Sequence, residues 1–502
     1  MLDKTMNHHL PSRRMLWLAL LVLIIYTAAF QGMRGLWDSS EGRYTNVAVE
    51  MLRFNDWLHP VTHHEHPHWT KPPLTYWALA ASMSGLGHSE WAVRMPGALA
   101  FLLTVLLVYL LGRLFVPERP WLPALIYTSF VLPATASNVI TTDNLLTLAE
   151  TAAITGFAYA YWAEGGSFGA RYGALLGWLA GGVGFLIKGP AVGLPLFALL
   201  IFHGLRRRQL VGRRLYWLLG PLLAAALGIS WFMALSDNKP ALLIDFIWNE
   251  VIMRATTGEH HRNSSWYGGL VIYLPVLLIG SLPWTWIALR GVAGTLRRWW
   301  QSHRDAGVVM DDRDRLLLLW LLVPLAVFMV ARSRLPLYVL PLFVPLALLA
   351  ARAAGQLVQR RLWVLLPALG MVAVLALRVT AGVMVDHRDS RALAQQLVIL
   401  ADGPIGEVVF VDQEAQQGLS FYIDAEVEEL RMDSRSSEPG APTEGVDQEP
   451  LEEEPDRLWL MVEGAAPHFE AWAGGRGMHA RRLGSVDGLH PYLVYRLDPV
   501  GG

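Results

Sequence analysis

Apolar runs near the ~20 residues that a bilayer crossing needs recur along the chain. They fall at residues 15–33, 91–112, 121–138, 143–162, 172–187, 189–205, 215–235, 267–289, 316–331, 335–351 and 362–383. Arg13 and Arg14, Arg113 and Arg119, Arg171, Arg206 to Arg208 with Arg213 and Arg214, Arg297 and Arg298, and Arg360 and Arg361 fall at alternate ends of these runs. Short cytoplasmic loops collect Lys and Arg, so the pattern predicts about eleven crossings, with the N-terminus inside and the C-terminus outside. The first run, Met15 to Phe30, has no small-residue cleavage site behind it and reads as a retained helix.

That orientation puts two long loops outside, 34–90 and 236–266. In the first, Tyr44, Val47, Ala48, Met51 and Leu52 repeat at helical spacing opposite Glu41, Arg43, Glu50 and Arg53, which predicts an amphipathic helix on the membrane surface. Leu74 to Leu86 predicts a second helix. After Asp386 the pattern shortens: 407–411, 419–423, 457–462 and 492–496 read as strands, and 391–400 as a helix. The expected architecture is an all-α polytopic membrane domain over 1–385, followed by a small outer α/β domain over 386–502. An acidic, Pro/Ser/Gly-bearing stretch at 433–456 reads as a disordered insertion.

Composition agrees with a membrane protein: 53% of the 502 residues are hydrophobic and 17% charged, against about 45–50% and about 25% in soluble proteins. A net charge of −1 and the lack of a basic arm exclude nucleic acid as a partner. With no cysteine, disulfides and thiol chemistry are excluded.

Polar residues at membrane depth or at helix ends are costly without a purpose. Here they gather on the expected outer side: Asp38, Glu41, Arg43, Lys71, Asp143, Lys188, Arg254, Glu259, His260, His261, Arg262, Arg332 and Arg334. Carboxylates beside cations suit transfer of a sugar from a lipid phosphate to a hydroxyl. The carboxylate takes the proton of the attacking oxygen, and the cations hold the departing phosphate.

Each residue also has a simpler reading. Asp38 and Glu41 fit a capping box. Asp143, behind Thr141 and Thr142, fits a helix cap. Lys71 before Pro72 could snorkel at a helix start, and Lys188 before Gly189 suits a helix C-terminus. Arg332 and Arg334, against the positive-inside trend, offer forks for phosphate oxygens. The tract His59, His63, His64, Glu65, His66 and His68 could supply a zinc shell, and is more simply a solvated tract.

Leu36-Trp37-Asp38-Ser39-Ser40-Glu41-Gly42-Arg43-Tyr44, with Glu50-Met51-Leu52, Asp56-Trp57 and Thr70-Lys71-Pro72-Pro73, resembles the first outer loop of bacterial C-type glycosyltransferases. These are relatives of the dolichyl-phosphate-mannose-protein mannosyltransferases, and the aminoarabinose transferases of lipid A are the most similar group. The resemblance continues through Thr142-Asp143-Asn144, Ile187-Lys188-Gly189, His261-Arg262, Gly280 to Trp284 and Arg332 to Tyr338, over about residues 15–350.

The resemblance implies the C-type fold in a bacterial inner membrane, with the C-terminal α/β domain periplasmic. It also implies an undecaprenyl-phosphate-linked sugar as donor and inversion in a single step. The acceptor would be a hydroxyl of an envelope lipid, glycan or protein. The implied catalytic carboxylates are Asp38, Glu41 and Asp143. The implied substrate-binding residues are Arg43, Tyr44, Lys71, Lys188, His261, Arg262, Arg332, Arg334 and Tyr338.

Two positions depart from the relatives. Ser40 stands where they carry Asp, which leaves the base open between Asp38 and Glu41, and Thr70 stands where they carry Glu. A divalent metal, if one is used, would therefore need His63, His64, His66 or His68, and no cofactor is certain. A lipid flippase and an inactive glycan-lipid binder are the rival readings. A transferase alone releases polyprenyl phosphate.

Overall fold

The computed structural model describes residues 13–62, 67–206, 215–235, 239, 241–253, 256, 263, 265, 267–305, 307–354, 362–384, 386–432, 444–446 and 456–499. Among these, four helical stretches are long and apolar enough to cross a membrane: Glu90–Phe115, Phe168–Arg206, Pro336–Ala354 and Leu362–Val383. Gly268–Gly280 and Thr285–Arg304 form a fifth if their 114° bend is counted within one span.

Several runs that read as single helices are broken where proline removes a backbone donor. The 121–138 run divides into Leu122–Ser129 and Val131–Ala136 around an extended Phe130, with Pro133 in the first turn of the second piece. Pro190 opens a 3₁₀ turn, Gly189–Val192, ahead of Gly193–Arg206. Pro283 lies in the bend before Thr285. Hydropathy averages over such breaks, so it reports the apolar length and not the turn.

The chain divides into two units. One gathers residues up to 31, 69–75 and 94–379. Its helices approach through small residues, as membrane helices do. Thr142–Trp162 lies so close to Phe168–Lys188 that a Cβ on Gly156 would sit 2.4 Å from the Gly173 carbonyl oxygen. Phe157 and Trp178 pack edge to face beside this contact, 5.2 Å between centroids. Arg378, on Leu362–Val383, is buried, and its guanidinium donates to the carbonyls of Tyr26, Thr27, Ala29 and Ala134 and to Ser137 Oγ. Carbonyls near helix ends thereby satisfy a buried charge.

The other unit holds residues 32–68, 76–93 and 380–502. Its sheet has the order β3-β2-β1-β4-β6-β5, where β1 is Glu407–Val411, β2 Glu426–Arg431, β3 Glu444–Gly445, β4 Arg457–Met461, β5 Met478–Asp487 and β6 Pro491–Pro499. The first four strands run parallel, and β6 pairs antiparallel with both β4 and β5. β1 and β4 are buried on both faces, as inner strands of a covered parallel sheet are.

Alternation divides the core. Val408, Phe410, Leu458 and Leu460 pack with Leu393 and Leu397 of helix Ser390–Leu400. Val409, Val411, Trp459 and Met461 pack with Phe469 of helix Ala466–Gly475. The 419–423 run, read as a strand, is instead the 3₁₀ turn Gln417–Phe421, and β2, β5 and the second covering helix were missing from the reading. β2, Glu-Val-Glu-Glu-Leu-Arg, carries too much charge to register as a buried strand. Of the stretch 433–456, the described part is 444–446 and Asp456, and Glu444–Gly445 extends the sheet beside Leu430 and Arg431.

The surface helix read from 44–52 is Ser40–Arg53. Its buried face carries Glu41, Asn46 and Glu50 as well as Val47, Ala48 and Met51, so it is not divided into an apolar and a solvated side. Asn46 Nδ2 donates to Ser420 Oγ at 2.9 Å, which shows where part of that polar face goes.

Candidate functional site

In the helical unit, Thr141 caps helix Thr142–Trp162, accepting from the Asp143 amide at 3.3 Å. Asp143 is thereby released from the capping role that its position suggested. Its Oδ2 accepts from Thr141 Oγ1 at 2.8 Å, and Lys188 Nζ donates to its Oδ1. Lys188 ends helix Phe168–Lys188, where a cation suits the dipole, and its ammonium stands 4.3 Å from the Tyr338 ring centroid. Gly189 turns the chain at φ +62°, and a Cβ there would lie 2.6 Å from the Phe246 ring, so no other residue fits.

Phe246 opens the π-helix Phe246–Met253, which carries Glu250. Lys71 Nζ donates to Glu250 Oε2 at 3.0 Å, and each side chain is 14% exposed. Leu74, one turn beyond Lys71, packs with Leu145, Leu146, Ile187 and Val192 in one apolar cluster. Residues next to Lys71, Asp143 and Lys188 therefore share one apolar floor. Trp69, Trp231, Phe232 and Phe246 continue it as a chain of ring contacts 4.8–5.9 Å apart.

Arg334 is buried, and its guanidinium donates to the carbonyls of Asn263, Ser265 and Met329 at 2.6–3.0 Å, which ties Asn263 and Ser265 to the end of helix Asp312–Val330. Arg332 is exposed. His261 and Arg262, and the metal candidates His63, His64 and His66, lie outside the described residues. His68 meets the Tyr76 ring edge-on at 5.8 Å, and among the described residues no three His, Cys, Asp or Glu side chains group as a metal shell.

In the sheet-bearing unit, Arg34 grips Glu41 with two bonds of 2.5 and 2.8 Å, and the Trp37 amide donates to Glu41 Oε2 at 3.0 Å. Both charged side chains are nearly fully buried, and the Arg34 guanidinium lies 4.3 Å from the Trp37 ring centroid. Glu41 thus reaches back toward the residues ahead of its helix, as a capping box would have it, while Ser39 occupies the cap position.

Asp38 turns elsewhere, accepting from Ser390 Oγ and from the Gly418 amide at 3.1 Å. A Cβ on Gly42 would lie 1.8 Å from Asp38 Oδ1, and one on Gly418 2.5 Å from Ser390 Oγ, so both glycines are needed for this closeness. Burial pushes the Asp38 carboxyl up to about 7, against the pull of Ser390, the Gly418 amide and Arg43, with Glu414 adding to the rise. Arg43 itself pairs with Glu414 at 3.3 Å in the open, and Tyr44 stacks at an angle on Tyr76, 5.7 Å between centroids.

Of the residues read from sequence, the structure pairs Asp143 with Lys188 beside Tyr338, and pairs Lys71 with a residue the sequence did not single out, Glu250. It places Arg334 on backbone carbonyls, and Asp38 and Glu41 on partners of their own unit. Glu250 was legible only as the lone acid in Phe-Ile-Trp-Asn-Glu-Val-Ile-Met, and Arg34 only as an arginine outside the first helix, against the positive-inside trend.

Residues 70–233 match the family of dolichyl-phosphate-mannose-protein mannosyltransferases. The chain is 33% identical over 360 residues to an undecaprenyl phosphate-alpha-4-amino-4-deoxy-L-arabinose arabinosyl transferase of Pseudomonas aeruginosa, covering 69% of this chain and 60% of that one. It is 35% identical over 346 residues to the enzyme of the same description from Edwardsiella ictaluri, covering 66% and 58%. The matched region spans about three fifths of the length of these relatives. In fold it is similar to the crystal structure of ArnT from Cupriavidus metallidurans bound to undecaprenyl phosphate, with a TM-score of 0.76 at 18% identity over 98% of this chain and 100% of that one.

Proposed function

We propose that this chain is an aminoarabinose transferase-like member of the C-type glycosyltransferases, and that it moves a sugar from an undecaprenyl-phosphate donor to a hydroxyl of an envelope lipid or glycan. The observation that carries the reading is the pair of lysine–carboxylate contacts, Lys71–Glu250 and Lys188–Asp143, raised on one apolar floor. Two ammoniums above an apolar and aromatic surface suit a ligand that is a phosphate at one end and a polyprenyl chain at the other.

The phosphate binds Lys71 and Lys188, and the prenyl chain follows the wall of Trp69, Trp231, Phe232 and Phe246. As Lys188 turns to the phosphate, Asp143 Oδ1 is released to take the proton of the acceptor hydroxyl. The acceptor oxygen attacks the anomeric carbon opposite the phosphate and inverts it. Phosphate leaves without an acid, its charge held by the two lysines. Asp38 and Glu41 hold the first outer loop in shape, Glu41 through Arg34 and Asp38 through Ser390 and Gly418.

The proposed topology is about eleven crossings of a bacterial inner membrane, with the N-terminus cytoplasmic. In it, residues 1–385 form the membrane domain, loops 34–90 and 236–266 carry the chemistry outside, and 386–502 form a periplasmic domain.

Proteoliposomes holding the full chain, a panel of radiolabelled undecaprenyl-phosphate sugars and an envelope extract from a strain lacking the protein test the reading. Label should pass to one acceptor fraction with release of undecaprenyl phosphate, and Asp143→Asn should lose roughly 100-fold or more of the rate while keeping its melting temperature. An intact donor carried across the bilayer without cleavage would make the chain a flippase.

A further inference from the structure

Glu250 belongs to none of the roles above, yet it holds the ammonium that a donor phosphate must reach. Lys71 Nζ donates to Glu250 Oε2 at 3.0 Å, and both side chains are mostly enclosed. The carboxylate stands on a π-helix, a rare irregularity that is frequent at functional sites. One turn earlier, Phe246 is buried against Gly189 and Phe232, which anchors that segment beside Lys188.

If the donor reading above holds, substrate and product differ in charge at the phosphate. The donor is a phosphodiester with a single negative charge. During transfer a bond forms between the acceptor oxygen and the anomeric carbon, and the bond from that carbon to the phosphate oxygen breaks. The electron pair stays on the phosphate oxygen, and the acceptor proton passes to the carboxylate base. What remains is a phosphomonoester, which carries about −1.5 to −2 at neutral pH. Ammoniums alone therefore hold the product harder than the substrate, and turnover stalls on release. A carboxylate competing for one of those ammoniums acts in the opposite sense.

We propose that Glu250 is a positioning residue that exchanges with phosphate on Lys71: donor binding draws the ammonium off Glu250, and its return after transfer expels the polyprenyl phosphate. The competition needs only the observed contact, whatever else either side chain touches.

The test uses the full chain in nanodiscs, with undecaprenyl phosphate as the probe. Glu250→Gln should bind it about five- to tenfold more tightly than wild type, since an ion pair no longer opposes it. In steady state, KM for donor and kcat should fall together, a first-turnover burst should appear, and inhibition by added undecaprenyl phosphate should strengthen. Glu250→Asp, which keeps the charge, should stay near wild type and guards against a folding defect in the amide variant. A merely structural Glu250 would weaken binding on substitution. Unchanged or weaker affinity in Glu250→Gln, with Lys71→Ala impaired, overturns the exchange and leaves the donor reading standing. Equal affinity in Lys71→Ala and wild type removes Lys71 from the phosphate site, and both readings fall.

Discussion

Replacing Asp38 by asparagine should flatten the pH dependence of this protein's stability. Asp38 is 4% exposed, and burial raises its carboxyl from 3.8 to about 7. A rise of that size corresponds to about 4 kcal/mol between the two protonation states. Between these values the folded chain keeps a proton that the unfolded chain has lost, so stability falls as pH climbs from about 4 to about 7 and levels off above. The asparagine keeps the shape and carries no charge. Its carbonyl can accept from the Gly418 amide, and its NH₂ can donate to Ser390 Oγ. Above about pH 7 the variant should therefore be the more stable protein by up to about 4 kcal/mol, less whatever its weaker neutral hydrogen bonds lose. At about 2–4 °C per kcal/mol for a unit of this size, that is a rise in melting temperature of about 10 °C. The assay is thermal unfolding in detergent at pH 5, 6, 7 and 8, followed by circular dichroism for both proteins. The curves should converge toward pH 5 and part toward pH 8. A difference that stays constant with pH, or a wild type that gains stability on going from pH 5 to pH 8 relative to the variant, refutes the reasoning.

Arg34→Ala should destabilise the protein by about 3–5 kcal/mol, because it leaves Glu41 buried without its fork, and Arg34→Met with Glu41→Leu should recover most of the loss; chemical denaturation of the three proteins checks both. Gly156→Ala should cost about 1–3 kcal/mol by forcing two closely packed helices apart, whereas Gly85→Ala, at a helical position with open space around it, should gain about 0.4–1 kcal/mol, a contrast that melting temperatures in detergent resolve.

Much of this protein follows from residue order alone. Apolar runs of bilayer length can only be helices, because lipid offers no partner for an open backbone, so Glu90–Phe115 and Leu362–Val383 were legible to within a few residues. The shift to short alternating runs after Asp386 announced a sheet domain. Lys71, Asp143 and Lys188 were named because a cation or a carboxylate at a membrane helix end costs too much to be incidental.

What residue order could not convey is which charge meets which. Arg334 and Lys188 looked alike as phosphate ligands. Packing turned the arginine onto the carbonyls of Asn263, Ser265 and Met329, and left the lysine beside Asp143 and Tyr338. Asp38 and Glu41, three residues apart, looked like alternatives for one role. The fold sends one to Ser390 and Gly418, some 350 to 380 residues away, and the other to Arg34, seven residues back. Glu250, 179 residues beyond Lys71, entered the site only because the Phe246–Met253 turn brings it there. Burial and helix periodicity act within a few turns and can be read from a string. The pairing of buried charges depends on distances between segments far apart in the chain, and only the packed tertiary structure sets them.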